Sequence, residues 1–475
     1  MKNATHNGKM TKFFAVLQGV AIGTLIFLSA VFVMATISAK VDKLVVQNKV
    51  VDAIRDSEIQ SFGGWDNLIN DQHGLDACGD SFVLQAAILD HGRMWTDMFD
   101  TLIYDVRALP CDVLVDIFGR HTIGPSVDIY SYHRYWWGSA VMARIALGMT
   151  ELSLKTYRSL MMMLSWLALL LFVAAFVVAY GPVSVSFFPL FISLGIGYGL
   201  LVMGQSIIHA PEFIVGLLLL SAYCVGKVQQ CSVRVRAILY SVLGGAFVYF
   251  DSFDGTVVLI AILLCCQLSA PYAARLLNLN NAQTAYSYGA LAREIVINCS
   301  LVLIGGCIAI VVRILGYSTV SHANALEVAT DWASKLSNRV SGGPLSEVEQ
   351  PSLRMLVWPL RHSRHYPFHG VLSESTVDIF YVLSFAAWAI AMLLCWKLHR
   401  KGVSPVPALG IVMAAALVPA WFLVFYQLNI VHAYLTVRLV TPFCGLGMSL
   451  AVLAGWALVR THSSRGQENP ASMRF

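Results

Sequence analysis

Long apolar runs separated by short polar turns dominate this chain. Ten of them are long enough to cross a bilayer: 13–38, 157–180, 185–207, 211–226, 237–251, 255–272, 295–316, 377–396, 404–427 and 436–459. Spans of this length are read as membrane helices, because a hydrocarbon core of about 30 Å takes roughly 20 apolar residues. The pattern predicts an all-α polytopic membrane protein with about ten transmembrane helices, its 475 residues forming a single membrane domain. The first run follows Lys2, Lys9 and Lys12 and has no small-x-small cleavage site before Lys40 and Lys43, so it reads as a retained helix.

Two polar segments are long, 39–156 and 317–376. The first alternates helix-like stretches, Ser81 to Leu89 and Met94 to Leu102, with breakers at Gly63-Gly64, Gly92, Pro110 and Gly124-Pro125. The spacing of Trp95, Phe99 and Leu102 predicts amphipathic helices lying on the membrane surface. No internal repeat and no low-complexity run is visible.

Charge orients the spans. The short turns on one side carry Lys227, Arg234, Arg236, Arg275, Arg293, Lys397, Arg400, Lys401 and Arg460, and only two acids, Glu294 and Glu468. Cytoplasmic segments collect Lys and Arg, so both termini are expected in the cytoplasm and the two long segments outside it. The other acids fall on the extracytoplasmic side, where any carboxylate chemistry has to take place. The expected location is a bacterial cytoplasmic (inner) membrane. A composition 57% apolar and 12% charged, with mean hydropathy +0.68, agrees. The net charge of +5 reflects anchoring residues; no basic stripe interleaved with aromatics points to nucleic acid.

Eight of the ten cysteines lie in or beside spans and read as packing residues. Cys78 and Cys111 lie in the first long segment. Either they form a disulfide in an oxidising compartment or they are two free buried thiols. No spacing suggests a zinc site and no metal ligand set is assigned. No cofactor is required, although a divalent cation near the carboxylates is compatible with them.

Several polar groups stand out against this background. Asp76 and Asp80 are four apart and share a helix face; either could take a proton from an acceptor hydroxyl, while Asp80 could equally cap the following helix. Tyr132-His133-Arg134-Tyr135-Trp136 places a cation among aromatics, which suits a phosphate beside a sugar or lipid and equally suits interfacial anchoring. Asp251 ends an apolar span, where acids tend to be functional. His209 lies in a tight turn before Pro211-Glu212. His432 precedes Arg438, which could snorkel to the interface or hold a lipid-linked phosphate. Arg361-His362-Ser363-Arg364-His365 reads as a solvated basic patch.

Leu75-Asp76 with Asp80, Tyr132-x-Arg134-Tyr135-Trp136-x-Gly138, Tyr249-Phe250-Asp251, Ser287-Tyr288-Gly289, and His432 with Arg438 follow one another in that order along most of the chain. Together they resemble bacterial polytopic membrane proteins of the GT-C glycosyltransferase superfamily. The resemblance implies an outward-facing enzyme that transfers a sugar from a polyprenyl-phosphate-linked donor to a glycan, lipid or protein acceptor, with inversion. A carboxylate of the first outer loop, Asp76 or Asp80, would act as base, with Asp251 next in line. Arg438 or Arg134 would hold the donor phosphate, and His133, His209 and His432 would assist. The first loop lacks the adjacent acidic pair common in GT-C proteins, so the base is not fixed. Two other classes stay open: a transporter or flippase, for which Gly195, Gly197, Gly199 and Gly204 in the third span are the best broken-helix signal, and a non-catalytic assembly factor for cell-envelope glycans. Gly195 and Gly199 also make a small-xxx-small pair suited to close helix packing.

Overall fold

The computed structural model describes residues 2–61, 77–104, 109–119, 128–132, 138–197, 200, 204–250, 256–277, 287–341, 374–425 and 437–467. It is overwhelmingly helical. Among the described residues, eight helical stretches are long and apolar enough to cross a membrane, from Met10–Ser38 to Val440–Ser463.

The first segment of the chain is α1 (Lys2–Ser38). The long polar segment that follows contributes α2 (Lys43–Arg55), α3 (Ala77–Ile88), α4 (Met94–Phe99), β1 (Leu102–Tyr104), α5 (Pro110–Gly119), β2 (Ile129–Ser131) and α6 (Gly138–Met149). Then come α7 (Leu154–Tyr180), α8 (Phe188–Ile192), α9 (Ala210–Val225), α10 (Val233–Phe250), α11 (Thr256–Leu277), α12 (Tyr288–Ser321), α13 (Ala325–Ser341), α14 (Glu374–Arg400), α15 (Val406–Val424) and α16 (Val440–Gln467).

The third apolar run departs from a regular helix. Gly181, at φ +61°, turns the chain after α7. A 3₁₀ stretch (Gly181–Phe187), the five-residue α8 and a π-type turn (Ser193–Gly197) then fold back along α7. The ring pairs Phe176–Phe187 (5.2 Å) and Phe172–Phe191 (5.8 Å) fix the antiparallel direction. Two prolines, Pro182 and Pro189, each near the start of a helical piece, explain why no single helix forms. The fourth run, α9, has 16 residues, roughly 24 Å at 1.5 Å per residue, shorter than the usual span. Among the described residues, neither of these two runs forms a separate helix of 18 or more residues.

Side-chain contacts set the direction of each helix. Gly19 meets Arg234 and Ala237, Gly23 meets Ile238 and Ser241, and Phe27 meets Gly245, so α1 and α10 run parallel. The Gly244 and Gly305 positions bring α10 and α12 together so closely that a Cβ at either would strike the other helix's backbone. Small residues at such crossings permit the dispersion contacts that hold helices together in lipid. On α14 and α16, Trp388 covers Gly447 and Leu394 faces Gly455, and the Trp388 indole donates to the Phe443 carbonyl at 3.1 Å. The result is two polar ends. One carries Arg234, Arg236, Arg275, Lys401 and Arg460, with Arg460 reaching the Leu277 carbonyl at 2.6 Å. The other carries the 39–153 segment and its acids.

The described parts of that segment pack closely on one another. Val83, Leu84 and Ala87 of α3 are fully buried, so α3 is a core helix. The stretch from Met94 ends as helix at Phe99, and Leu102 belongs to β1, which pairs antiparallel with β2 through Ile103 and Tyr130. This two-stranded ribbon is a small addition to an otherwise helical fold; Leu-Ile-Tyr, apolar and bulky, favours an extended pairing over another helical turn. Amphipathic helices do occur as α2, with Val46, Val50 and Ala53 buried, and as α13. Cys78 of α3 and Cys111 of α5 are joined by a disulfide, with Cα atoms 4.8 Å apart. Gln85 adds a second tie between the same elements, donating to the Pro110 carbonyl at 3.0 Å while accepting from the Tyr104 amide at 3.0 Å.

Candidate functional site

The acid-bearing end contains two buried polar clusters. The first centres on Asp80, which is completely buried. One carboxylate oxygen takes the Arg158 guanidinium at 3.0 and 3.2 Å. The other accepts from the Ser206 hydroxyl at 2.9 Å and from the Ile207 and Ile208 amides at 2.8 and 3.3 Å. Arg158 also donates to the Glu58 carbonyl at 3.2 Å. One carboxylate therefore ties the long segment to the start of α7 and to the turn before α9. A carboxylate offers about four lone-pair directions, and five donors already converge on this one. The geometry gives Asp80 an anchoring role. His209 follows directly after that turn at the N-terminus of α9, buried beside the equally buried Glu212.

The second cluster surrounds a cavity of about 50 Å³ between α1, α4, α6 and the end of α10. Ala35, Asp97, Asp100, Arg144 and Tyr249 are on its wall. Asp97 stands in the first turn of α4 and accepts the His91 backbone N–H at 2.6 Å. Burial raises the Asp97 carboxyl above the usual carboxylate range; the His91 amide opposes this and the nearby Asp90 charge adds to it. Asp100, also buried, pairs with His91 Nε2 at 2.9 Å and accepts from the Ser131 hydroxyl, itself 3.0 Å from the Tyr317 hydroxyl.

Two arginines organise this floor. Arg144 of α6 donates to the carbonyls of Ala87 (2.6 Å), Ala86 (3.2 Å) and Leu89 (2.6 Å), closing the C-terminal end of α3, where a cation suits the helix dipole. It also lies 3.6 Å from Asp90, which Lys43 holds at 2.8 Å. Burial pushes Asp90 up, but the Lys43 hydrogen bond and the charges of Arg144 and Lys43 outweigh it and leave Asp90 below its usual value. Arg313, buried on α12, donates to the Met98 carbonyl at 3.0 Å and reaches the Thr101 hydroxyl at 3.4 Å. Asp97 combines a place on the cavity wall with a carboxyl that burial raises. Such a combination marks candidate proton-transfer groups.

The residues singled out from sequence distribute unevenly. Asp76, Asp251, His133, Arg134, Tyr135, Trp136 and His432 lie outside the described residues. The described residues that flank them, Ala77, Tyr132, Gly138, Phe250 and Thr256, gather at the acid-bearing end. Tyr132 stacks on Phe82 (5.9 Å), its amide donates to the Thr101 carbonyl (2.6 Å), and Gly138 packs against Tyr249 and Phe250. Ser287 caps α12 by accepting from the Gly289 amide at 3.1 Å. Arg438 is 1% exposed, in a 3₁₀ turn just before α16. Among the described residues no group of three or more His, Cys, Asp or Glu side chains could hold a metal ion.

Asp97, Asp100, His91, Arg144 and Arg313 did not stand out in the sequence. One signal was available: Arg313 is a lone cation inside an apolar run, and intramembrane charges are rare and paired. Comparison with protein-family models, curated proteins and solved structures finds no match.

Proposed function

We propose that this chain is a membrane glycosyltransferase that uses a polyprenyl-phosphate-linked sugar at the acid-bearing end, with Asp97 as the base. The observation that carries the reading is the cavity beneath the 39–153 segment, with Asp97 on its wall and its carboxyl raised by burial. The cavity is bounded by the ends of α1 and α10, a location that suits a lipid-anchored donor presenting its headgroup. It is large enough for a hydroxyl or water but not for a whole sugar, so the donor's bulk lies outside it.

In this reading the acceptor hydroxyl enters towards Asp97 and attacks the anomeric carbon from the face opposite the lipid phosphate. The C–O bond to the phosphate breaks, the glycosidic bond forms with inversion, and Asp97 takes the hydroxyl proton. A carboxyl raised above the ordinary value is a better proton acceptor than a free aspartate. The leaving phosphate is already an anion and needs no strong acid. Arg134, Arg438, Tyr132 and the histidines His133, His209 and His432 are proposed on the donor side, Tyr135 and Trp136 with them. Asp80 is reassigned from base to anchor, because its lone pairs are committed. Asp76 and Asp251 are the remaining alternatives for the base.

The acceptor is a glycan, lipid or protein of the cell envelope, and the membrane is the bacterial inner membrane with both termini cytoplasmic. A transport reading draws on the broken third run, since discontinuous helices build many transporter sites. Two of its buried hydroxyls are already used, however: Ser193 donates to the Leu190 carbonyl at 2.7 Å, and Ser206 donates to Asp80 at 2.9 Å. Gly195 packs on Trp166. Helix packing accounts for these features. The test is sugar transfer by the purified protein from polyprenyl-phosphate donors, in which D97N loses turnover and keeps donor binding.

A further inference from the structure

The opposite, basic end carries a feature that neither the proposed reaction nor helix packing uses. α14 and α16 run parallel and are locked by Trp388 on Gly447 and Phe443, so their C-terminal ends emerge side by side. There Lys401 Nζ and His462 Nε2 lie 2.6 Å apart. Arg400 stacks over the Trp396 ring at 4.4 Å, and Arg460 lies over Trp456 at 5.4 Å. Lys397 and His399 are exposed on the same last turn.

Ordinary anchoring spreads basic side chains apart in the headgroup region. Here Lys401, just past α14, donates to the His462 Nε2 of α16, and among the described residues no carboxylate pairs with either. The carbonyls at the end of α14 do not need them, because the Lys401, Gly402 and Val403 amides already satisfy the Lys397, His399 and Leu398 carbonyls. Gly402, at φ +75°, makes that cap. The side chains therefore point outward, beside two tryptophans at the depth where rings meet headgroups; Trp396 is 51% exposed.

We propose that the α14–α16 end is a binding site for the phosphate of an anionic phospholipid. Lys401 and Arg400 would supply the charge, His462 would orient the Lys401 ammonium, and Trp396 would pack on the glycerol and upper acyl chain. Basic pockets between membrane helices suit such headgroups. The site depends on neither the glycosyl-transfer reading nor Asp97.

The test compares wild-type protein with K401Q/H462Q in micelles of one detergent doped with phosphatidylglycerol or with phosphatidylcholine. Bound lipid is counted by native mass spectrometry. Wild type should retain phosphatidylglycerol preferentially, and the double variant, which removes the Lys401 charge, should bind it about fivefold more weakly. Equal melting of both proteins in phosphatidylcholine checks that the variant is folded; if it is not, R400Q, whose side chain is exposed, replaces it with the same expectation for one charge. Unchanged phosphatidylglycerol retention in a folded variant overturns the proposal. So does equal thermal stabilisation by inorganic phosphate alone, which would make the ligand a soluble anion.

Discussion

Replacing Asp80 by Asn separates an anchor from a catalytic base. The amide oxygen can keep the contacts to Ser206 and the Ile207 and Ile208 amides, which lie at 2.8–3.3 Å. The amide nitrogen must then face Arg158, donor against donor, at the positions now separated by 3.0 and 3.2 Å. A buried guanidinium loses its counter-charge. Removing one partner of a buried pair costs about 3–5 kcal/mol, a large part of the roughly 5–15 kcal/mol that holds a typical protein folded. D80N should therefore melt well below wild type in a thermal unfolding assay in detergent, and trypsin should cut its 39–153 segment sooner. D80N/R158M should recover most of the loss, because the amide then faces an apolar side chain and no charge is stranded. A D80N protein that melts like wild type but has no transfer activity would refute the anchoring argument and return Asp80 to the base position.

Asp97 should behave in the opposite way. Its folded-state carboxyl titrates above the usual 3.8, so the native state binds its proton first, and this group's contribution to stability rises as pH falls through the folded value. D97N should thus be as stable as wild type or more so at neutral pH, with a flatter stability profile just above pH 3.8 in denaturant titrations. Removing the Cys78–Cys111 bridge by C78S/C111S should cost about 4 kcal/mol from the loop of 33 residues it closes, read as a lower unfolding midpoint; an unchanged midpoint would show the bridge is dispensable. Cysteines introduced at Asn70 and Leu345 should react with an impermeant reagent from outside, and those at Gln230 and Arg400 only after permeabilisation; outside labelling at Gln230 would place the carboxylates in the wrong compartment.

Hydrophobic pattern made most of the architecture legible, because lipid forces each crossing to satisfy its backbone internally and so to be a long apolar helix. It said less where Pro189 breaks a run into short helical pieces, and where three-residue strands carry too little pattern to be seen, as in β1 and β2. The candidate site was harder to read. Asp97 and Asp100 look like ordinary loop acids until folding brings His91, Ser131 and Arg313 around them. Arg313 contacts Met98 across 215 residues of sequence, and Arg158 meets Asp80 across 78. Sequence spacing reports neighbours on one helix; these partners are set by how α12 and α7 pack against the long segment. Asp80 was conspicuous for its position and proved to be surrounded by donors, whereas Asp97 was inconspicuous and lines the cavity.

The most direct test of the account is mass spectrometry of lipids that co-purify with D97N. An enzyme that binds its donor but cannot take the acceptor's proton should accumulate it, so D97N should carry a polyprenyl-phosphate-linked sugar that wild type, turning over, largely loses. If neither protein retains such a lipid, and D97N matches wild type in transfer to envelope acceptors, then Asp97 is not the base and the glycosyl-transfer reading of this cavity is wrong.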